Sequence, residues 1–150
     1  MQMHYLPATT EHIPFICQTY LANMKPLHGA PRSEDTWRQL LADPACRYYI
    51  VNHREPVAWF RLEQEKGILW LGMLQVAPAH QRTGIGRYVL SVFESIAREA
   101  GIRTLGIHTT QDNLAARSLY TSAGYTVTEI GPCTTGDGVE RVGYTFQKEL

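Results

Sequence analysis

Between Leu74 and Ala100 the chain reads LQVAPAHQRTGIGRYVLSVFESIAREA, and this stretch restricts the possible folds more than any other. An apolar run that begins at Ile68 meets Pro78, which has no N–H for a strand ladder, so an extended segment over 68–76 must stop there. Further on, Ile85, Val89, Val92, Phe93, Ile96 and Ala100 recur at three- and four-residue spacing, which predicts a helix with one buried face starting near Gly84. The intervening Gln81, Arg82, Thr83, Gly84, Ile85 and Gly86 form a turn whose two glycines let the backbone bend tightly and approach a ligand. The first amides of a helix have no partner within it and carry the positive end of its dipole, so the turn suits a phosphate or diphosphate. Arg82 and Arg87 add formal charge. At about 1.5–3 kcal/mol per hydrogen bond to a charged group, a few such amides hold a diphosphate without a metal.

Two familiar phosphate loops fail here at particular positions. The dinucleotide fingerprint needs a third glycine where this chain has Val89, and the Walker loop needs a Gly-Lys-Ser/Thr run that is absent. What remains is Q-x-x-G-x-G between an apolar strand ending in V-x-P and an amphipathic helix. A second motif follows at Asn113–Tyr125, N-x-x-A-x-x-L-Y-x-x-x-G-Y. It reads as a helix capped by Asp112 or Asn113 and ended by a left-handed Gly124, with Ala116, Leu119, Tyr120 and Ala123 on one face.

Both motifs, in this order, resemble those of the GCN5-related N-acetyltransferase (GNAT) family, and together they span about half the chain. The resemblance implies acetyl-CoA as co-substrate and attack of an amine on its thioester. It implies cofactor contacts from Leu74 and Val76 at the strand end, from Gln81, Arg82, Thr83, Gly84, Ile85, Gly86 and Arg87 in the turn, and from Asn113 and Tyr120. It further implies that the N–H of Val76 faces the thioester oxygen and that the Tyr120 hydroxyl reaches the sulfur. Family members that carry a carboxylate on the central strand find no counterpart here, because 68–76 contains no ionisable residue. Glu63 before that strand and His108 after it are the candidate bases, histidine being the side-chain type that titrates near neutrality.

The rest of the chain supplies the frame. Strands are expected over 3–6, 48–51, 57–63, 68–76, 104–109, 126–130 and 141–148, and helices over the stretches after Thr9 or Thr10, after Ser33, after Gly84 and after Asn113. The strand, helix, strand unit through Gly84 and Gly101 demands a parallel pair with a right-handed crossover. The expected fold is therefore α+β in three layers, α/β/α: a mixed, mostly antiparallel seven-stranded sheet around one central parallel strand-helix-strand unit, GNAT-like. The segments 25–32 and 131–138, rich in Gly and Pro, are expected as surface loops, the second near the acceptor entrance.

At 150 residues and 44% hydrophobic, the chain is expected to form one domain over 1–150. Fourteen basic against fourteen acidic residues give no net charge, so no nucleic acid is expected as a partner. The opening residues lack a signal-peptide pattern and no apolar run is long enough to span a bilayer, so no membrane and a cytoplasmic location are expected. Cys17, Cys46 and Cys133 lack metal-binding spacing, the histidines lack a helical pair, and no metal site is expected. Trp37, Tyr48, Tyr49, Trp59, Phe60 and Trp70 concentrate in the first half as an aromatic acceptor pocket or as plain core. The expected acceptor is a small-molecule amine. A peptide or protein N-terminus, or a non-catalytic acyl-CoA sensor, is the alternative, and a homodimer is left open.

Overall fold

The computed structural model describes residues 2–24 and 31–150. Seven strands form one sheet: β1 (His4–Pro7), β2 (Cys46–His53), β3 (Glu55–Glu65), β4 (Ile68–Val76), β5 (Thr104–Thr110), β6 (Thr126–Thr134) and β7 (Glu140–Glu149). Their order is β1-β2-β3-β4-β5-β7-β6. Four helices accompany them: α1 (Ile13–Met24), α2 (Glu34–Ala42), α3 (Ile85–Glu99) and α4 (Leu114–Ser122).

Every strand pair is antiparallel except β4 with β5, which are joined through α3. Helices α3 and α4 cover one face, where Phe60, Leu62, Leu69, Leu71, Val89, Phe93, Leu105, Ile107 and Phe146 form the larger core. On the other face α1 and α2 bury Ile13, Ile16, Tyr20 and Trp37 against Tyr48, Ile50 and Trp59. The three expected layers are present. The aromatic concentration is core: Trp37, Trp59 and Phe60 are fully buried, and none of the six aromatic residues singled out in the sequence lines the cleft described below.

Local signals set the helix boundaries. Ser33 Oγ accepts from the N–H of Thr36 at 3.1 Å and Asn113 Oδ1 from that of Ala116 at 3.2 Å, so both predicted caps form. Gly101 and Gly124 take positive φ after α3 and α4. The segment 25–30 lies outside the described residues, so the loop expected at 25–32 is described only at Pro31 and Arg32. The expected loop over 131–138 is shorter than read. Strand β6 continues to Thr134, with Pro132 paired to Val142, because an edge strand tolerates a residue without an N–H. The remaining turn is held by Asp137, whose carboxylate accepts from Val139 N–H and from Arg141 Nη2. Those bonds and one from the Thr135 hydroxyl keep its carboxyl well below the usual carboxylate range.

Candidate active site

The site begins with a bulge. Along the β3–β4 ladder Arg61 faces Met73 and Leu62 faces Leu71, which leaves Gly72 as the extra residue. Leu69 and Leu71 face the α3 core before it, and Leu74 and Val76 do so after it, so the alternation changes phase at Gly72. Arg61 explains the glycine. A Cβ there would come within 2.4 Å of the Arg61 Nε.

Parallel pairing of β4 with β5 covers only Ile68–Leu71 against Thr104–Ile107. Beyond the bulge the strands part, and β5 continues with β7 alone. The Ala77 N–H donates to Val57 O at 2.9 Å, which makes Ala58 with Val76, and Phe60 with Leu74, the non-hydrogen-bonded pairs of the antiparallel ladder. The amides of Leu74 and Val76 consequently turn away from β3, toward the opening that β5 has left.

That opening is a cleft of about 610 Å³ which passes between the two faces of the sheet. Leu71–Gln75 form one side and His108–Thr110, Asn113 and Thr145 the other. Tyr120 enters from the α4 side, while Tyr20, Met24 and Arg32 enter from the α1/α2 side. The strands β6 and β7 contribute Glu129 and Tyr144, among others.

Tyr120 is 6% exposed and packs edge-on against Phe146 at 5.5 Å and Tyr125 at 6.5 Å. Its hydroxyl has no hydrogen-bond partner among the described residues, and burial pushes the phenol up to about 12. It is a neutral donor held ready in the cleft. His108 lies on the opposite wall, exposed, with Nδ1 3.0 Å from Thr145 Oγ1.

The turn before α3 differs in detail from what its glycines suggest. Gly84 has φ 90° and precedes the helix, a conformation that only glycine adopts without strain. Gly86 serves packing, since a Cβ there would meet Leu119 Cδ2 at 2.9 Å. The first hydrogen bond at this end of α3 runs from Tyr88 N–H to Gly84 O, which leaves the amides of Ile85, Gly86 and Arg87 without acceptors inside the helix. These open donors fit a diphosphate. Arg82, at φ 60°, and Thr83 complete the turn. Arg87 donates to Ser122 Oγ at 3.0 Å and so ties α3 to α4. Gln81 Nε2 donates to Val76 O at 3.1 Å and to Asn23 Oδ1 at 2.9 Å. Asn23 Nδ2 in turn donates to Val76 O and to Gln75 Oε1, which fastens α1 to the end of β4.

The cleft therefore brings Leu74, His108, Asn113 and Tyr120 together. Val76 and the 81–87 turn lie outside its lining, and Glu63 does too, bonded to Arg61 at 3.3 Å. Sequence reasoning missed Arg32, Gln75, Glu129 and Thr145. Of these only Gln75, the one polar side chain within an otherwise apolar strand apart from Gly72, stands out in the sequence.

Comparison with known proteins agrees with this geometry. The model of the Acetyltransferase (GNAT) family matches residues 13–125, well over half the chain, and the protein belongs to that family of acetyltransferases, which use acetyl-CoA. Among solved structures, the ribosomal-protein-S18-alanine N-acetyltransferase from Escherichia coli is similar at TM-score 0.80 and 21% identity, over 99% of this chain and 94% of that one. The ribosomal-protein-alanine N-acetyltransferase from Brucella melitensis is similar at 0.83 and 18%, over 98% and 99%. The structure of yncA from Salmonella typhimurium with its cofactor acetyl-CoA is similar at 0.72 and 24%, over 99% and 94%. At these identities the likeness concerns the fold. No curated protein sequence matches the chain. Among the described residues no helix is long and apolar enough to cross a membrane, and no group of three His, Cys, Asp or Glu is placed to hold a metal.

Proposed function

We propose that the protein transfers the acetyl group of acetyl-CoA to the primary amine of a small molecule by direct attack on the thioester. The observation that carries this reading is the parting of β4 and β5 after Leu71, with the Leu74 and Val76 amides turned away from β3 and Tyr120 in the cleft that results. In this proposal the open amides of Ile85, Gly86 and Arg87 hold the diphosphate, and Asn113 and Tyr120 border the thioester arm.

As the amine nitrogen bonds to the carbonyl carbon, negative charge grows on oxygen, and the Val76 N–H donates to it. Collapse breaks the carbon–sulfur bond, and the Tyr120 hydroxyl donates to the leaving thiolate. Full proton transfer from a phenol near 12 to a thiol near 8.5 is uphill by about 5 kcal/mol. Tyr120 therefore stabilises the thiolate by hydrogen bonding, and the sulfur takes its proton from solvent. His108 accepts the proton that the amine loses, directly or through one water. Glu63, engaged with Arg61 away from the cleft lining, is the weaker choice for that role.

Acetylation of a peptide N-terminus is a second reading, supported by the names of the Escherichia coli and Brucella melitensis structures. Thiol release from acetyl-CoA across a panel of small amines and short peptides tests both. Turnover of small amines supports the first reading. Turnover of peptides alone supports the second, and acetyl-CoA binding without turnover of any amine removes both.

A further inference from the structure

The α1/α2 end of the cleft holds a cation without a counter-ion. Arg32 lines the cleft beside Tyr20 and Met24, with its guanidinium carbon 4.8 Å above the Tyr20 ring and 5.0 Å above that of Trp37. Its Nη1 is buried and has no hydrogen-bond partner among the described residues. No carboxylate among the described residues pairs with it, and residues 25–30 contain Lys25 but neither Asp nor Glu. Two aromatic faces thus fix a planar fork of donors whose natural complement, a carboxylate, is not supplied by the chain.

Its surroundings add to the imbalance. Arg61 crosses the bulge glycine Gly72, a residue of the cleft lining, with its side chain only 18% exposed. Its Nε is buried without a partner among the described residues. Burial raises the Tyr48 pKa, and the neighbouring Arg61, with a smaller effect from Arg32, opposes that rise. Glu63 pairs with Arg61, which leaves Arg32 without a carboxylate partner among the described residues. Buried donors without acceptors are costly unless a ligand completes them. The cofactor is not that ligand, because the open amides of α3 belong to the helix layer on the opposite face of the sheet from α1 and α2.

We propose that the acceptor is a free amino acid and that Arg32, backed by Tyr48 and Arg61, receives its carboxylate while its amine points toward the thioester. This rests on the acetyl-transfer reading above. The guanidinium fork takes a carboxylate through two parallel hydrogen bonds, and Arg32 shares one cleft of about 610 Å³ with Leu74, His108 and Tyr120, which suits an amine and a carboxylate carried on one small molecule.

The test measures KM and kcat for a set of amino acids, each beside its carboxamide, its decarboxylated amine and an amine bearing a phosphate. For the best amino acid, the carboxamide and the decarboxylated amine are expected to have KM higher by about 10- to 100-fold, as for loss of a charged hydrogen-bonded contact. Arg32→Gln is expected to abolish that preference, with acetyl-CoA affinity by calorimetry unchanged as the check on folding. Arg32→Lys, which keeps the charge but loses the fork, is expected to fall between. Equal use of the carboxamide or decarboxylated amine, a preference for the phosphate-bearing amine, turnover of peptides only, or a carboxylate preference that persists in Arg32→Gln overturns the inference. Those results leave acetyl transfer standing. If no amine is used although acetyl-CoA binds, the transfer reading itself falls and this inference with it.

Discussion

The imidazole of His108 lies flat on the indole of Trp70, with ring centroids 4.4 Å apart and planes 13° from parallel. Trp70 also covers Gly106, where a Cβ would come within 2.4 Å of the indole, so the glycine makes room for the ring that supports the histidine. Thr145 holds Nδ1 at 3.0 Å and is itself paired with Glu129 on β6. His108, Thr145 and Glu129 thus form a row across three strands on one wall of the cleft. With one ring face covered and Nδ1 engaged, Nε2 is the nitrogen left for a substrate proton.

His108→Ala is expected to lower kcat/KM by about 10²-fold, the lower end of the range for a positioned general base. Thr145→Val, which leaves the imidazole on Trp70 but frees Nδ1, is expected to cost less, about 3- to 10-fold. A kcat/KM unmoved by both substitutions would exclude His108 from proton transfer.

Tyr120→Phe is expected to lower kcat by about 10²-fold with acetyl-CoA affinity nearly unchanged, since the ring still packs on Phe146 and Tyr125. Because burial pushes the phenol up to about 12, no alkaline limb from Tyr120 should appear below about pH 10. Stability responds to the same shift. The unfolded phenol ionises near 10 and the folded one near about 12, so the protection is complete below about pH 10. It is lost as pH rises through about 12, an effect of about 3 kcal/mol absent from the Phe variant. Urea titrations of both proteins between neutral and alkaline pH measure it.

The two glycines of the turn separate by experiment. Gly84→Asp puts a carboxylate beside the open amides and forces a non-glycine residue to φ 90°, and acetyl-CoA affinity should fall by at least about 100-fold. Gly86→Ala adds no charge but pushes against Leu119 Cδ2, so it should lower stability by about 1–3 kcal/mol and weaken binding far less. Calorimetry with acetyl-CoA and thermal melts distinguish the two. Equal loss of affinity in both variants would contradict the packing role assigned to Gly86.

What the sequence made legible was local. Pro78, Gly84, Ser33, Asn113 and Gly124 mark element ends because each acts on backbone within a few residues, and the periodicity from Ile85 to Ala100 shows which helix face is buried. The parallel pairing of β4 with β5 followed from chain connectivity alone. The bulge at Gly72 was hidden, because an unbroken apolar run does not reveal where a partner strand slips by one residue. Arg32 meets the cleft through ring packing and Thr145 through a bond to a residue 37 positions away, and neither leaves a periodic signal. Thr134 and Pro132 were read as loop for a related reason: β6 is an exposed edge, and its polar composition resembles that of a turn.

The bulge supports a last prediction. Gly72 has no strained φ, so its requirement comes from the Arg61 guanidinium, which would meet a new Cβ at 2.4–2.8 Å. Gly72→Ala must expel that side chain, break its 3.3 Å contact with Glu63 and shift the point at which β4 leaves β5. A loss of about 1–3 kcal/mol is expected, the range for overpacking at a filled site. Arg61→Ala removes the obstacle. In Gly72→Ala/Arg61→Ala the alanine Cβ occupies vacated space, so the double variant should be less destabilised than the sum of the single changes by at least about 1 kcal/mol. Its acetyl-CoA affinity should match wild type, because the amides of Leu74 and Val76 return to the gap once the bulge relaxes. Additive losses around the cycle would show that Gly72 is needed for the backbone turn itself and not for the passage of Arg61.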